Sequence, residues 1–131
     1  MSSVNSLFLD AVKLAANGTP VALPNIKFDP TGLQSYYQVW IIPARKEAVG
    51  ISSTDVQNGF CQVSCFVLAD VGEIKAVNMA ETIIRAFPRN TRLKANDLTV
   101  EINKPAYYTN GLTSNKSWYM VPVTIPYVVI T

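Results

Sequence analysis

The chain has 131 residues, and charged side chains make up only 15% of it, against roughly 25% in ordinary globular proteins. Hydrophobic residues make up 49%, so the low charge is the unusual feature of the composition. Charge depletion is typical of the buried centre of a protein–protein interface, although a neutral surface rich in serine, threonine and asparagine explains it equally well. A net charge of +2 gives no argument for binding to nucleic acid or to a membrane.

The chain contains no histidine, which excludes Ser-His-Asp and Cys-His catalytic sites. Its acidic residues are scattered, and its glycines form no phosphate-binding loop. We therefore expect no enzymatic activity, no cofactor, no metal ligands and no small-molecule substrate. Cys61 and Cys65 lie about 13 Å apart along a predicted strand, too far for a disulfide, so we expect buried free thiols.

No apolar run approaches the roughly 18 residues of a membrane span. The N-terminus also lacks the basic and apolar regions of a signal peptide. We expect a protein made in the cytoplasm, without a membrane partner.

The first half of the chain predicts a helix, an extended arm and two strands. The helix covers residues 3–16, with an apolar stripe formed by Val4, Leu7, Phe8, Ala11, Leu14 and Ala15. The proline-rich residues 19–32 predict an extended arm, followed by a strand at 36–42 that ends at Pro43. Residues 44–59 predict a long loop or an irregular hairpin, and Asn58-Gly59 predicts the turn into a strand at 60–68.

The second half begins with a helix that Pro88 ends, and Asp70 and Glu73 match a capping box at its start. Its predicted buried stripe is Ile74, Val77, Ala80, Ile84 and Phe87. Residues 99–108 and 118–131 predict two further strands. In the last strand, odd-numbered residues from Tyr119 to Val129 alternate onto one face.

Pro122 and Pro126 lack N–H groups on the same edge of this last strand, which predicts an edge strand or one that leaves the sheet there. The order of elements predicts an α+β fold, with a mostly antiparallel sheet of about four strands and two helices packed on it. We expect residues 1–131 to form a single domain.

Two clusters suggest binding surfaces. Five aromatic residues could form a base-stacking platform for single-stranded nucleic acid, although core or interface aromatics are commoner; they are Tyr36, Tyr37, Trp40, Tyr107 and Tyr108. Basic residues occur on the predicted loop and at the end of the second helix, where they either complement the helix dipole or meet an acidic neighbour. These residues are Arg45, Lys46, Arg85, Arg89, Arg92 and Lys94.

An ordered series of motifs resembles the tail terminator proteins of long-tailed, siphovirus-type bacteriophages. An N-terminal helix leads to the arm Leu23-Pro-Asn-Ile-Lys-Phe28 and the strand Tyr37-Gln-Val-Trp-Ile-Ile-Pro-Ala44. The segment Asn58-Gly-Phe-Cys-Gln-Val-Ser-Cys-Phe-Val67 follows, then the helix at 80–87 and Phe87-Pro-Arg-Asn-Thr-Arg-Leu93. The strand Trp118-Tyr-Met-Val-Pro-Val-Thr-Ile-Pro-Tyr127 closes the series. The resemblance covers most of the chain and is weakest over residues 45–57.

The resemblance implies a structural virion protein at the junction of tail and neck, assembled in the host bacterial cytoplasm. Such proteins form a homohexameric ring on the head-proximal end of the tail tube, which ends tube polymerisation and provides the interface for head–tail joining. The implied partners are the tail tube protein and a head-completion or connector protein, with DNA only as cargo passing through the ring lumen. From charge and predicted exposure, and not from the family, we expect Arg45, Lys46, Arg85, Arg89 and Arg92 to contribute to subunit or tube contacts.

Two other interpretations remain open at this point. Another phage neck component, such as a head–tail connector or a tail-completion protein, would share a small α+β fold and ring symmetry. A single-stranded nucleic-acid binding module would use the tyrosines, and its binding would weaken with salt.

Overall fold

The structure, a computed structural model, describes residues 4–22, 28–29, 32–48, 55–69, 73–95, 98–109, 111–113 and 118–130. These residues form two helices and eight strands. The helices are α1 (Val4–Ala16) and α2 (Glu73–Ala86). The strands are β1 (Val21–Ala22), β2 (Ser35–Ala48), β3 (Asp55–Leu68), β4 (Arg92–Ala95), β5 (Leu98–Glu101), β6 (Tyr107–Tyr108), β7 (Leu112–Thr113) and β8 (Trp118–Ile130).

All eight strands join one sheet with the order β1-β2-β3-β8-β5-β4, and β6 and β7 also pair with β8. The long strand β3 lies between β2 and β8 and is antiparallel to both. β1 pairs with β2 in parallel, with Val21 opposite Tyr37, so the sheet is mixed.

The prediction of a mostly antiparallel sheet of about four strands is therefore wrong, although the α+β class and the two helices agree with the structure. The strands that the sequence did not reveal are β1, β4 and β7, which have two to four residues each. Alternation needs about four to eight residues to be recognised. These short segments are strands because a long neighbour offers them a pairing edge.

β8 is an internal strand, so its prediction as an edge strand is also wrong. In β8, the even-numbered residues direct their backbone N–H and C=O groups towards β5, β6 and β7, which all pair with the same edge of β8. The Thr109 amide, for example, donates to the Pro122 carbonyl on this edge at 3.2 Å. The missing N–H groups of Pro122 and Pro126 fall on that same edge. The pairing partners of β8 on that edge stop short of both prolines: β6 faces residues 123–124, and β5 faces residues 128–130. The prolines thus divide one edge into short pairings instead of leaving it free.

β2 and β3 form an antiparallel hairpin that includes much of residues 44–59, where the sequence predicted a loop or an irregular hairpin. β2 continues past Pro43 to Ala48, and β3 begins at Asp55, so Gly59 lies within a strand and not in a turn. The register shifts between Ile42 and Arg45, which leaves Pro43 and Ala44 opposite Gly59 as a bulge. A bulge tolerates proline because it leaves one residue outside the ladder. The residues between the two strands, 49–54, lie outside the described part of the chain.

Both helices pack on the inner face of the sheet, which carries the odd-numbered residues of the long strands. Val39, Val63 and Val123 form one fully buried row across β2, β3 and β8. The ring of Phe8 from α1 lies over this face, 5.0 Å from the ring of Tyr127 and 6.0 Å from that of Phe87. The predicted alternation of β8 is confirmed, since Val121, Val123, Ile125, Tyr127 and Val129 are in this core and Tyr119 packs against it.

The predicted helix stripes are confirmed in part. Phe8, Ala80 and Phe87 are buried as predicted, and four further predicted residues pack against the core: Leu7, Ala11, Ala15 and Ile84. α1 buries Phe8, Val12 and Ala16, whereas Leu14 is 83% exposed. α2 buries Ala76, Met79, Ala80 and Ile83, whereas Ile74 is 78% exposed. The predicted capping residue Asp70 lies outside the described residues.

Candidate interaction surfaces

The outer face of the sheet, opposite the helices, is uncharged over the central part of its three long strands. It carries the even-numbered residues of this part, at 36–42 in β2, 58–68 in β3 and 118–128 in β8. None of these residues is Asp, Glu, Lys or Arg. Charged residues border this part on two sides: Arg45 follows the bulge of β2 and lies opposite Asn58, and Arg92 and Glu101 pair across β4 and β5.

One end of the outer face exposes a group of large apolar side chains, which we name the outer patch: Trp40, Ile42, Phe60 and Tyr107. Their exposed fractions are 56%, 40%, 44% and 48%. Ile42 is directly opposite Phe60, and Trp40 and Tyr107 belong to one cross-strand row through Gln62 and Thr124. Gln62 and Thr124 therefore separate Trp40 from Tyr107, and the apolar side chains do not form one continuous surface. Exposed large apolar side chains without charge are typical of the centre of a protein–protein contact.

The other end of the same face packs its aromatic rings against one another. Tyr36 stacks on Phe66 with ring centroids 4.7 Å apart and lies edge-on to Trp118 at 5.0 Å and tilted to Phe28 at 4.9 Å. Burial raises the pKa of the Tyr36 hydroxyl. This ring cluster stabilises the face by aromatic packing.

The five aromatic residues considered for base stacking do not form one platform. Tyr37 is buried on the inner face, where its hydroxyl donates to the Met79 carbonyl at 3.3 Å. Burial, and secondarily the neighbouring Cys65, raises the pKa of Tyr37 to about 12. Trp40 and Tyr107 are exposed, but the uncharged face around them lacks the basic residues that hold a nucleic-acid backbone.

A small cavity of about 90 Å³ adjoins the outer patch at Phe60. Its lining includes Asn58, Asn103, Lys104 and Pro126. The Oδ1 atom of Asn103 is buried and accepts no hydrogen bond from the described protein groups. The cavity is too small for a cofactor but has room for one side-chain end of a docking protein.

The structure places the five predicted basic residues in two separate regions. Arg45 and Lys46 are in β2, beyond the bulge, opposite Asn58 and Gln57. The others lie at and after the end of α2: Arg85, Arg89 and Arg92, all with exposed side chains.

Arg89 is the residue of this second region whose side chain has no hydrogen-bond or ion-pair partner among the described residues. Arg85 donates to the Glu81 carbonyl at 3.3 Å, and Arg92 pairs with Glu101 at 3.4 Å. Arg89 is at the tip of a turn that is fixed by hydrogen bonds between Asn90, Thr91 and Ile102, each 2.8 Å long. Asn90 adopts a positive φ of 75°, which asparagine tolerates well. We name this turn, residues 88–91, the basic turn.

Cys61 and Cys65 are free, buried thiols, as predicted. Burial raises the pKa of both, that of Cys65 to about 12, so neither is a reactive thiolate at neutral pH. Among the described residues, no cluster of three or more cysteine or acidic side chains could hold a metal ion. No helix in the described ranges is long and apolar enough to cross a membrane.

Sequence reasoning missed the outer patch as a surface, although it noted Trp40 and Tyr107 as aromatic residues. The available signal was the absence of charge at the even positions of 36–42, 58–68 and 118–128. That signal becomes visible only when the register between the strands is known.

The fold and its surfaces describe a small α+β protein that offers apolar and charged surfaces to other proteins. Residues 4–127 match the model of the family described as "Phage tail terminator protein". The chain belongs to this family, which gives it a structural role in the phage tail, a place in the virion, and contacts with other phage tail and head proteins.

Comparison with solved structures supports the fold. One solved structure matches 99% of this chain and 98% of its own, with a TM-score of 0.75 and 23% sequence identity. Fourteen solved chains match in all. No curated protein matches the chain.

Proposed function

We propose that the protein forms a hexameric ring that caps the head-proximal end of the tail tube, ends tube polymerisation and provides the interface for head–tail joining. The observation that carries the proposal is the family match over residues 4–127. The ring would lie at the junction of tail and neck, after assembly in the host cytoplasm, with DNA passing through its lumen.

A protein that ends a polymer needs one surface that binds the growing end and an opposite surface that does not bind the next polymer subunit. A head-to-tail contact repeats without limit unless one subunit type binds the growing end and does not regenerate the same end. The chain supports this role because its surfaces differ: the central part of the outer face is uncharged, whereas the basic turn presents the cation Arg89. One surface can bind other copies, while a different one binds the tube protein and a third meets a head-completion or connector protein.

We propose that Arg45, Lys46, Arg85, Arg89 and Arg92 contribute to ring or tube contacts. Arg89 has the strongest structural support, because it is exposed on a fixed turn and no described residue pairs with it. Arg92 already pairs with Glu101, so we expect it to contribute less.

Light scattering over a wide concentration range, with negative-stain imaging, tests the ring. Incubation with purified tail tubes and fresh tube protein tests the capping. We expect hexameric rings in solution or at one tube end, and tubes that no longer elongate there. Rings that leave elongation unchanged would assign the protein to another position in the neck, and a stable dimer that never binds tubes would contradict the proposal.

A further inference from the structure

β4 is the last strand of the sheet, and no described strand pairs with its outer edge. The hydrogen bonds at the start of the β4–β5 pair show which backbone groups face that edge. The Asn90 amide donates to the Ile102 carbonyl, and the Ile102 amide donates to the Thr91 carbonyl. Residues 90 and 91 therefore both lie opposite Ile102, as in a β-bulge whose first residue has a positive φ. Regular pairing begins at Arg92, opposite Glu101.

The backbone groups of an antiparallel strand alternate in direction along its length. Because residues 96 and 97 alone connect Ala95 to Leu98, these two residues form a hydrogen-bonded pair. Leu93, two positions earlier, also turns its N–H and C=O groups towards β5. Arg92 and Lys94 therefore direct their N–H and C=O groups to the outer edge, where an added strand can pair with them.

The outer side of β4 is basic. Arg92 and Lys94 lie on the outer face of the sheet with exposed side chains, and Arg89 is exposed on the basic turn just before the strand. Glu101 pairs with Arg92 at 3.4 Å, whereas no described residue pairs with Arg89 or Lys94. An acidic strand added at this edge would therefore meet two cations that no described residue neutralises.

The inner side of the same strand is apolar. Leu93 packs against the core and lies opposite Val100, which is fully buried. α1, which packs on the inner face, also contacts β4. Because successive residues of a strand point to opposite faces, the strand that fits this edge has acidic residues at alternate positions and an apolar residue between them.

We propose that β4 binds an extended segment of the tail tube protein in which two acidic residues flank an apolar one. The segment adds to the sheet as a further strand, and its acidic side chains meet the cations of β4 and the basic turn. The inference rests on the proposed function, because it states how the capping protein holds the end of the tube. Short pairings already occur in this fold, since β6 and β7 pair with β8 through two residues each.

A second copy of the chain does not suit this edge. If two β4 strands paired in antiparallel through their outward groups, Arg92 of one copy would lie opposite Lys94 of the other. Like charges directly opposite each other destabilise a sheet. The basic side chains therefore protect the edge from self-association and favour a partner of opposite charge.

Lys94→Pro and Lys94→Thr separate the backbone contact from the charge. Proline removes the outward N–H group, and its ring blocks an added strand. It leaves the hydrogen bonds to β5 intact, because the Lys94 N–H does not face β5, and proline is tolerated in edge strands. Threonine, the matched control, removes the charge alone and suits a strand. We expect both variants to fold, checked by circular dichroism, and to form rings as the wild type does.

Capping of purified tail tubes measures the two contributions. Lys94→Pro should raise the half-maximal capping concentration at least about tenfold, at low and at high salt, because backbone pairing is lost. Lys94→Thr should raise it about two- to fivefold at about 0.1 M ionic strength. This smaller difference should disappear at about 1 M, where salt screens the charges.

Hydrogen exchange of the wild type, with and without tubes, tests the same contact without a substitution. The amides of Leu93 and Ala95 are bonded to β5 and should exchange slowly in both samples. Those of Arg92 and Lys94 should slow at least about tenfold only when tubes are bound. A carbodiimide, which joins amines to carboxylates, should link Lys94 to an acidic residue of the tube protein, identified by mass spectrometry.

Other outcomes overturn the inference and differ from failure of the proposed function. Normal capping by folded Lys94→Pro, or unchanged exchange at Arg92 and Lys94 on tubes, would remove the inference and leave the function standing. Loss of rings by that folded variant, or cross-links between copies, would assign the edge to a neighbouring copy. If Lys94→Pro does not fold, exchange and cross-linking of the wild type decide the question. A wild type that does not cap tubes would remove the proposed function and the inference together.

Discussion

Gly59 is the residue at which the backbone of β3 meets the bulge of β2. A Cβ atom added there would lie 2.6 Å from the Tyr127 hydroxyl oxygen and 2.9 Å from the Ile42 carbonyl oxygen. These two atoms are themselves joined, because the Tyr127 hydroxyl donates to the Ile42 carbonyl at 3.4 Å. Glycine is therefore required for close approach and not for a turn, which is why the Asn58-Gly59 turn prediction was wrong.

We expect Gly59→Ala to lower the free energy of unfolding by about 1–3 kcal/mol, because overpacking forces the Tyr127 ring and the Ile42 backbone to move. Urea unfolding measures the change. Asn58→Ala, at the exposed neighbouring position in the same strand, is the matched control and should change stability by less than about 0.5 kcal/mol. Equal stability of both variants would show that the bulge adapts without cost.

The two buried thiols give the stability of the protein a dependence on alkaline pH. The Cys65 thiol has an ordinary pKa of 9.0, and burial in the folded state raises its pKa to about 12; burial raises that of Cys61 as well. Above pH 9 the unfolded chain releases these protons while the folded chain still holds them. The contribution of the two thiols to the free energy of unfolding is therefore fully present below pH 9. It is lost as the pH rises towards the pKa values of the folded state.

We expect the free energy of unfolding to fall between pH 9 and pH 10 by up to about 1.4 kcal/mol per thiol. Urea unfolding at pH 8, 9 and 10 in the presence of a reductant measures this slope. The Cys61→Ala, Cys65→Ala variant is the control, and its slope should be clearly smaller even if it is less stable overall. An unchanged slope would mean that other groups, such as Tyr37, control the alkaline transition.

The apolar pattern of each helix allows more than one buried face, and the packing of the helix on the sheet determines which one is used. α1 is apolar over a wide arc, so periodicity alone allows either Leu14 or the pair Val12 and Ala16 to point inward. The choice depends on the angle at which α1 crosses the sheet, and this angle is fixed by contacts distant in sequence, such as that between Phe8 and Tyr127. For this reason the helices and part of their buried faces, such as Phe8 and Ala80, could be predicted, whereas the exposure of Leu14 could not.

A contrast within α1 tests this assignment. Phe8→Ala should lower the free energy of unfolding by about 3–5 kcal/mol, because it leaves a cavity between Phe87 and Tyr127. Leu14→Ala in the same helix should change it by less than about 0.5 kcal/mol, measured on dilute monomer, because Leu14 is exposed. A comparable loss in the two variants would show that Leu14 belongs to the core.

The sheet was predictable where strands are long and alternate, and not elsewhere. The inward residues of β8 follow from the sequence, because thirteen residues carry a clear period of two. The place of β8 inside the sheet does not, since its second edge is covered by β5, β6 and β7, of which the longest has four residues. The two prolines correctly indicate an interrupted edge, but a sequence does not show how short partners fill the gaps.

At the scale of the whole molecule, uncharged residues of three long strands lie together on one face of the sheet. The composition alone allowed either an interface or a neutral surface, and the strand register places the uncharged positions together on the outer face. The basic residues, in contrast, could be named from the sequence as a group. Only the structure separates Arg89 on its fixed turn from Arg92, which Glu101 already neutralises.

This separation leads to a final prediction, in which Arg89 on the basic turn binds the tube protein and takes no part in the contacts between copies in the ring. Arg89→Glu should leave ring formation unchanged and reduce capping of purified tail tubes by about tenfold or more, because a reversed charge repels an acidic partner surface. Half-maximal capping concentrations, measured by tube elongation at several salt concentrations, give the comparison. The difference between wild type and variant should shrink as salt rises.

Arg89→Gln provides the matched control, since it removes the charge without reversing it and should have an intermediate effect. The Arg89→Glu, Arg92→Glu double variant should add little, because Arg92 is held by Glu101 in the wild type. If the double variant forms rings and caps tubes as the wild type does, the basic turn has no part in the tube contact. The tube protein would then have to bind a different surface of the ring, and the end of β2 that carries Arg45 and Lys46 would be the next region to test.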